Sequence, residues 1–559
     1  MKTTNKYMLM LRSQNISILY YLMMISIILL VIYWLLNYHI YSSNAMTSYL
    51  VAYIISGGVV CLFFKLLSYR ILFISILIQV SIICWGIYEA IYGCLQLYGY
   101  AESNNYLYKL TGSFHNPGPY AGFLATILPL LLQFFLQKSS IKNKWFRLPM
   151  ILLCNIGILL FLSILPATMS RAAWLAAILG SGVVLAKYYK LYDRLRLLIA
   201  KHKIITASSF FILGLLVLAL CIGIYYLKKD SADGRLLMWK VTTRIIVDNP
   251  WFGVGIGGFS GAYGKAQAAY FASGEATEQE EYLAGSPEYA FNEFLQIAAE
   301  TGLIGLLLFW GILYVSFRMA CKCRQWGVVG SLSALLTFSC FSYPFSIWQH
   351  MLLLVLLLAM CGNNRQEFHR RVDYRMVIIL SIVLFLSIIW AALKWHEEQK
   401  SIEAWKEEQT YYNMAIYEGT VDNYQRLYPC LREDPRFLFE YGHCLSKTGK
   451  YEQSNIIMHE GAERSSDPMF WNIIGKNYQA MGDYKQAEKC FQYASLMVPH
   501  RLYPIYLLAN LYFESNDIEK ALQTAHRVIE KRPKVMSAAI DEMKAEMKEK
   551  IETYQNIQL

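Results

Sequence analysis

The 559-residue sequence predicts an all-α protein in two parts: a polytopic membrane helix bundle of about eleven spans, then a helical repeat domain. Three observations predict it. Hydrophobic residues make up 56% of the chain and charged residues only 16%, too apolar a balance for a soluble protein of this length. The charges crowd into short runs between apolar stretches and into everything after Trp395. Beyond that point, small and aromatic residues recur at a near-constant spacing.

Apolar runs near the roughly 20 residues needed to cross hydrocarbon begin at Ile16, Tyr49, Ile71, Tyr120, Leu148, Ala172, Ile204, Leu303, Val328, Met351 and Val377. Ile16 to Leu36 is too long for the core of a cleaved secretory signal and reads as the first span. Lys2, Lys6 and Arg12 precede it, and every second loop repeats the signal: Lys65 and Arg70, Lys138 to Arg147, Lys187 to Lys203, Arg318 to Arg324, and Arg365 to Arg375. The positive-inside rule turns these loops and the N-terminus to the cytoplasm. An odd number of spans then puts the C-terminal domain on the far side, which for a bacterial inner membrane is the periplasm.

The net charge of +11 is thereby accounted for without nucleic acid, whose site would need its Lys and Arg gathered on one surface. The 12 cysteines include no CxxC pair, and Cys321 and Cys323 stand too close together to anchor zinc alone, so no metal site is expected. The predicted division is a membrane domain over 1–395 and a periplasmic repeat domain over 396–559. Two outward segments exceed mere connections, 94–119 and the much larger loop 228–301; long loops in compact folds are functional or disordered.

In the C-terminal part, Trp471, Ile474, Gly475, Tyr478, Gly482, Tyr484, Ala487, Phe491, Ala494 and Pro499 resemble the tetratricopeptide (TPR) spacing almost position by position. Gly449, Tyr451 and Ser454 stand one period earlier; Asn516, Ile518 and Ala521 stand one period later. Such helix pairs are stable only when stacked, so a TPR-like α-solenoid is expected, with 397–435 as a degenerate first pair and 537–555 as a solvated capping helix. Solenoids of this kind bind protein partners, and nothing catalytic stands in this part.

Arg171, in Ser170-Arg171-Ala-Ala-Trp174, is costly at membrane depth unless it snorkels or has work to do. The large loop opens with Gly234-Arg235 and Trp239, followed by Lys240 and Arg244, about one and two helical turns beyond Arg235 if a helix starts at Gly234. Its Asn249-Pro250 and Gly253, Gly255, Gly257 and Gly258 follow no strand, so they predict a tight turn rather than a nucleotide fingerprint. Asn292, Glu293 and Gln296 precede Glu300-Thr301-Gly302; Glu293 and Gln296 would share a helix face towards an outer cavity. His115 and Asn116 lie in a turn-rich stretch, Gly112 to Tyr120, where His115 is a turn residue or a catalyst.

Taken in order, these motifs resemble the superfamily of O-antigen ligases and O-antigen polymerases, which includes bacterial O-linked oligosaccharyltransferases. The resemblance covers roughly Leu97 to Trp348. It implies a membrane glycosyltransferase, free of metal, nucleotide or other cofactor, that moves a glycan from an undecaprenyl-pyrophosphate carrier to a lipid, protein or glycan acceptor at the periplasmic face. Arg171 and Arg235 suit the leaving pyrophosphate, since Arg offers a rigid, always-charged fork. His115, Asn116, Trp239, Lys240, Arg244, Asn292 and Gln296 are the expected substrate-binding residues. Relatives commonly carry His where this chain has Phe291, which cannot titrate; Glu293 is the nearest substitute as base. Polymerase, protein glycosylation and a non-catalytic glycan-assembly role stay open. A transporter is disfavoured by the long loop and the lack of inverted repeats.

Overall fold

The computed structural model describes residues 71–137, 144–204, 229–361 and 397–558, with scattered positions between 205 and 228. The spans expected at Ile16, Tyr49 and Val377 lie outside the described residues, and the one at Ile204 largely so. The described residues form helices and turns only.

Among the described residues four helices are long and apolar enough to cross a membrane: α1 (Ile71–Tyr98), α2 (Pro117–Leu136), α3 (Lys144–Ala167) and α9 (Glu293–Lys322). α4 (Arg171–Tyr188) and α5 (Leu191–Lys201) make a fifth if the pair, bent by 74°, is one span. The runs expected at Val328 and Met351 form α10 (Trp326–Ser339) and α11 (Trp348–Met360), apolar helices of 14 and 13 residues. Either would span only about 20 Å, short of the hydrocarbon thickness.

α2, α4 and α10 pack as the bundle's central triad. Gly180 and Gly330 make the closest crossing: a Cβ on either would stand 2.6 Å from the other's carbonyl oxygen. Small residues let helix backbones approach where lipid gives no hydrophobic drive to associate. The triad has a polarity. Gln133, Lys187 and Trp326 meet at one end, where the Lys187 ammonium lies 4.7 Å from the Trp326 ring centroid and Arg318, Lys322 and Arg324 cluster in sequence. The N-termini of α2, α4 and α9 and the α10–α11 connection lie at the opposite end.

α9 is broken at Gly302, whose φ of 67° and ψ of −175° are open only to glycine. The break frees backbone groups that the glycine-rich turn takes up: Val254 and Gly255 donate to the carbonyls of Ala299 and Glu300 (2.9 and 3.0 Å), and Leu303 donates to Pro250 (2.8 Å). Gly253 (φ 69°) lacks a Cβ that would overlap Glu300. The predicted tight turn therefore splices the large loop into a membrane helix.

That loop folds on its own core. α6 (Lys229–Asp248) starts five residues before Gly234; with α7 (Phe259–Ala272) and α8 (Glu278–Leu283) it buries Leu237, Val241, Ile245, Phe259, Tyr263, Tyr270 and Phe271.

The C-terminal part is a stack of helix pairs: 397–413 with α12 (Tyr417–Leu431), α13 (Pro435–Lys447) with α14 (Tyr451–Ala462), α15 (Met469–Ala480) with α16 (Tyr484–Met497), and α17 (Tyr503–Glu514) with α18 (Ile518–Glu530). α19 (Ala538–Gln558) closes it, burying Met547 and Ile551. Gly449, Gly482 and Asn516, one period apart, take φ of 78°, 82° and 59° at equivalent turns. Asn is the usual non-glycine tenant of that region. α7 packs along α16, placing Ala268 against Met497 and Val498. The loop and the solenoid are thus in direct contact.

Candidate functional site

The site is assembled at the end of the bundle away from the basic cluster. The Gly112–Tyr120 turn is fixed from α1: Gln96 accepts the Thr111 and Gly112 N–H groups (2.9 and 2.7 Å), and Glu89 accepts the Ser113 N–H and hydroxyl (3.0 and 2.6 Å). Asn116 caps α2 through the Gly118 N–H at 2.9 Å and hydrogen-bonds Tyr343. His115, next to it, is exposed, with Nδ1 3.3 Å from the Asn104 carbonyl oxygen.

Arg171 is the first residue of α4, after Met169 in the left-handed region. The helix N-terminus adds its own partial positive charge there. Trp174 anchors the corner by donating to the Leu165 carbonyl at 2.7 Å. Arg235 comes from α6 and lies 5.4 Å from the ring centroid of Phe291. Burial, then the charge of Arg171, depress its affinity for its proton, while Tyr343 opposes that shift. Two residues 64 apart in sequence thus converge as like charges, and among the described residues no carboxylate forms an ion pair with Arg235.

One turn on from Arg235, Trp239 donates to the Ala290 carbonyl at 3.1 Å and packs its ring on Phe341. Lys240 and Arg244 are partly exposed and pair with acidic residues of the loop instead. Lys240 bonds the Tyr270 hydroxyl (2.6 Å) and Glu280 (2.9 Å); Arg244 pairs with Glu275 and stacks on Tyr270. Burial works against the charge on Glu280, but the Thr277 N–H, Lys240 and Tyr270 outweigh it and bring the carboxyl down to about 2.

Phe291 holds a φ of 51°, and Asn292 after it caps α9 by accepting the Phe294 and Leu295 N–H groups. Glu293 and Gln296 do not share one exposed face. Glu293 is buried and accepts the Phe345 N–H at 2.6 Å; Gln296 accepts the Ala290 N–H at 3.1 Å and donates to Glu300.

Sequence reasoning missed Tyr343, in the connection between α10 and α11. Its ring stacks on Tyr289 (4.7 Å, 7°) and meets Phe291 edge-on at 5.0 Å. Burial first, with nearby Tyr108 adding, pushes its phenol up, so it stands protonated beside Arg235. Arg171, Arg235, Asn116, Phe291 and Tyr343 thus form one cluster, rimmed by Trp239; a lone Tyr-Pro pair in an apolar stretch carried no signal.

A family model described as O-antigen ligase matches residues 156–310, from α3 into α9, and a tetratricopeptide repeat model matches residues 478–547. No curated protein matches the chain. The first match holds Arg171, Arg235 and Phe291 and leaves Asn116 and Tyr343 outside. The chain thus joins a region similar to the O-antigen ligase family, a similarity that suggests a membrane glycan-assembly function, to C-terminal tetratricopeptide repeats.

Proposed function

We propose that the protein is a membrane glycosyltransferase that moves a glycan from an undecaprenyl-pyrophosphate carrier to an acceptor at the periplasmic face. The observation that carries this reading is the convergence of Arg171 and Arg235 at the end of the bundle opposite its basic cluster. Two guanidinium groups brought together beside a helix N-terminus make a place for a polyanion, and a pyrophosphate supplies one. In the reaction the bond from the sugar's anomeric carbon to the pyrophosphate oxygen breaks, and the acceptor oxygen takes its place. The pyrophosphate leaves with the electron pair, and the Arg pair stabilises the charge that develops on it.

Phe291 leaves no titratable group at the position where the family resemblance implies that His is common. The candidates in its place are Tyr343, which meets that ring edge-on and whose hydroxyl Asn116 orients, and Glu293, two residues on in sequence and the proposed acceptor of the proton from the attacking hydroxyl. Trp239, Asn292, Gln296 and His115 complete the proposed substrate contacts. Lys240 and Arg244 serve the same substrate by bracing α6 through Tyr270, Glu280 and Glu275.

The test is reconstitution in lipid vesicles with a lipid-pyrophosphate glycan and competing lipid, protein and carrier-linked glycan acceptors. Transfer to one of them establishes the activity, and the product distinguishes ligase, protein glycosyltransferase and polymerase. An intact protein that binds the donor yet transfers to none overturns the enzymatic reading in favour of a glycan-assembly factor.

A further inference from the structure

The segment Gly285–Phe291 is a strap with two sets of anchors. At its near end the anchors come from α7 and the solenoid together. Gln267, fully buried, donates to the carbonyls of Gly285 (2.8 Å) and Met497, while its own carbonyl accepts the Tyr263 hydroxyl (2.8 Å). Arg501, held by Asp467 at 2.8 Å, donates to the Ser286 hydroxyl at 3.2 Å. The Pro287 carbonyl accepts from Ser260 (3.2 Å) and from Ser466 (3.1 Å), and the Ser466 N–H donates to the Ser260 hydroxyl at 3.1 Å.

The surfaces meet backbone to backbone. A Cβ on Gly261 would overlap the Glu463 carbonyl, and one on Gly264 would lie 3.0 Å from the Ser466 Cα. A polar network centred on the buried Gln267 and Ser466, whose hydrogen bonds demand these particular partners, specifies one docking pose and penalises others. The solenoid residues in it, Glu463 to Asp467 and Met497 to Arg501, are the turns between successive repeats.

At the far end the same strap builds the site. Tyr289 stacks on Tyr343, the Ala290 carbonyl accepts Trp239, the Ala290 N–H is taken by Gln296, and Phe291 lies under Arg235. Three residues lie between Pro287 and Phe291, so the four Cα-to-Cα steps reach at most about 14 Å. A displacement at the anchored end has little slack in which to dissipate.

We propose that the repeat domain is a positioning part of the site, its inter-repeat turns gripping the chain's own large loop so that the strap sets Phe291 under Arg235. The surface engaged is made of α16 and the two inter-repeat turns beside it. The location of the site rests on the reading above, but the docking does not.

The full-length protein in lipid nanodiscs tests both parts. In Ser466→Ala/Arg501→Ala, backbone amide exchange across 285–296 is expected to accelerate at least tenfold, with α2, α10 and α15 unchanged. Gly261→Leu, a wedge at the same interface, is expected to do the same; if it fails to accumulate, the double variant decides. Arg501→Lys, which keeps a cationic donor, is expected to retain parental exchange. Parental exchange in the double variant overturns the anchoring. This arm needs no substrate, so its failure is separate from failure of the glycosyl-transfer reading. Where the parent transfers glycan, the double variant is expected to lose at least tenfold in rate and Arg501→Lys to keep it. A loosened strap with parental transfer overturns the coupling to the site.

Discussion

The buried carboxylate of Glu293 accepts the backbone N–H of Phe345 at 2.6 Å, joining the first turn of α9 to the connection that carries Tyr343. Holding that connection and taking a proton from substrate are separable tasks. Gln keeps an oxygen for the Phe345 N–H but has no basicity. We expect Glu293→Gln to lose about 10²-fold or more in turnover with undiminished membrane abundance, the loss typical of a missing general base. Unchanged turnover would leave Glu293 a brace for the Tyr343 connection.

Arg171→Lys and Arg235→Lys each keep a positive charge and lose the planar fork. Removing one preorganised donor to a developing oxyanion costs about 3 kcal/mol. Each variant is therefore expected to transfer glycan roughly 10²-fold more slowly, measured against equal amounts of protein in the membrane. Normal transfer in both would sink the pyrophosphate clamp.

Phe291 has a left-handed φ of 51°, a region His enters more readily than most residues. Phe291→His should therefore fold, and it sets beside Arg235 and Tyr343 the residue that the family resemblance implies. An imidazole next to a guanidinium titrates below its ordinary value of about 6.5. The pH–rate profile of this variant is expected to gain a further ascending limb below that pH, beside the one that Glu293 as base gives to both enzymes; superimposable profiles would deny the position a role in proton transfer.

Much of this architecture is legible because it rests on local chemistry. Gly449, Gly482 and Asn516 mark solenoid turns because each must take a positive φ, and Gly253 and Gly302 mark the splice for the same reason. Arg171 and Arg235 stand out because charge is costly where they lie. Partnerships across long separations leave no such mark. Lys240 and Arg244 look free until Glu280 and Glu275 fold back on them, and Ser466 looks like any turn serine until Pro287, 179 residues away, reaches it. Tyr343 is equally silent, since its role comes from what stacks on it.

The splice at Gly302 gives a stability prediction. Gly302→Ala would place a Cβ in a backbone region reserved for glycine and drive it into the Trp251 carbonyl. Strain of this kind costs about 1–3 kcal/mol at each origin, and here two coincide, so a loss of roughly 3 kcal/mol or more is expected. Thermal unfolding of the detergent-solubilised full chain should fall by several degrees. An unshifted transition would mean that the loop does not dock into the break.

The docked surface of the solenoid should also be acid-sensitive. His500 donates to the Glu281 carbonyl, its Nδ1 is buried without a partner, and Lys531, Lys534 and Arg501 stand around it. Burial, then the charges of Lys534, Arg501 and Lys531, push it down to about 4, with the Glu281 bond opposing. A depressed folded-state value means that the unfolded or undocked chain binds the proton more readily between about pH 6.5 and 4. Stability from the neutral ring is therefore full above that window and is lost as pH falls through it. With partial solvent screening the loss by pH 5 is roughly 1 kcal/mol. His443 and His459, also pushed down by burial, titrate in the same direction, so the parent alone does not isolate His500. His500→Gln should remove its share: amide exchange across 285–296 is expected to quicken between pH 7 and 5 more in the parent than in the variant, after correction for intrinsic rates. Equal pH dependence in the two would remove His500 from the docking.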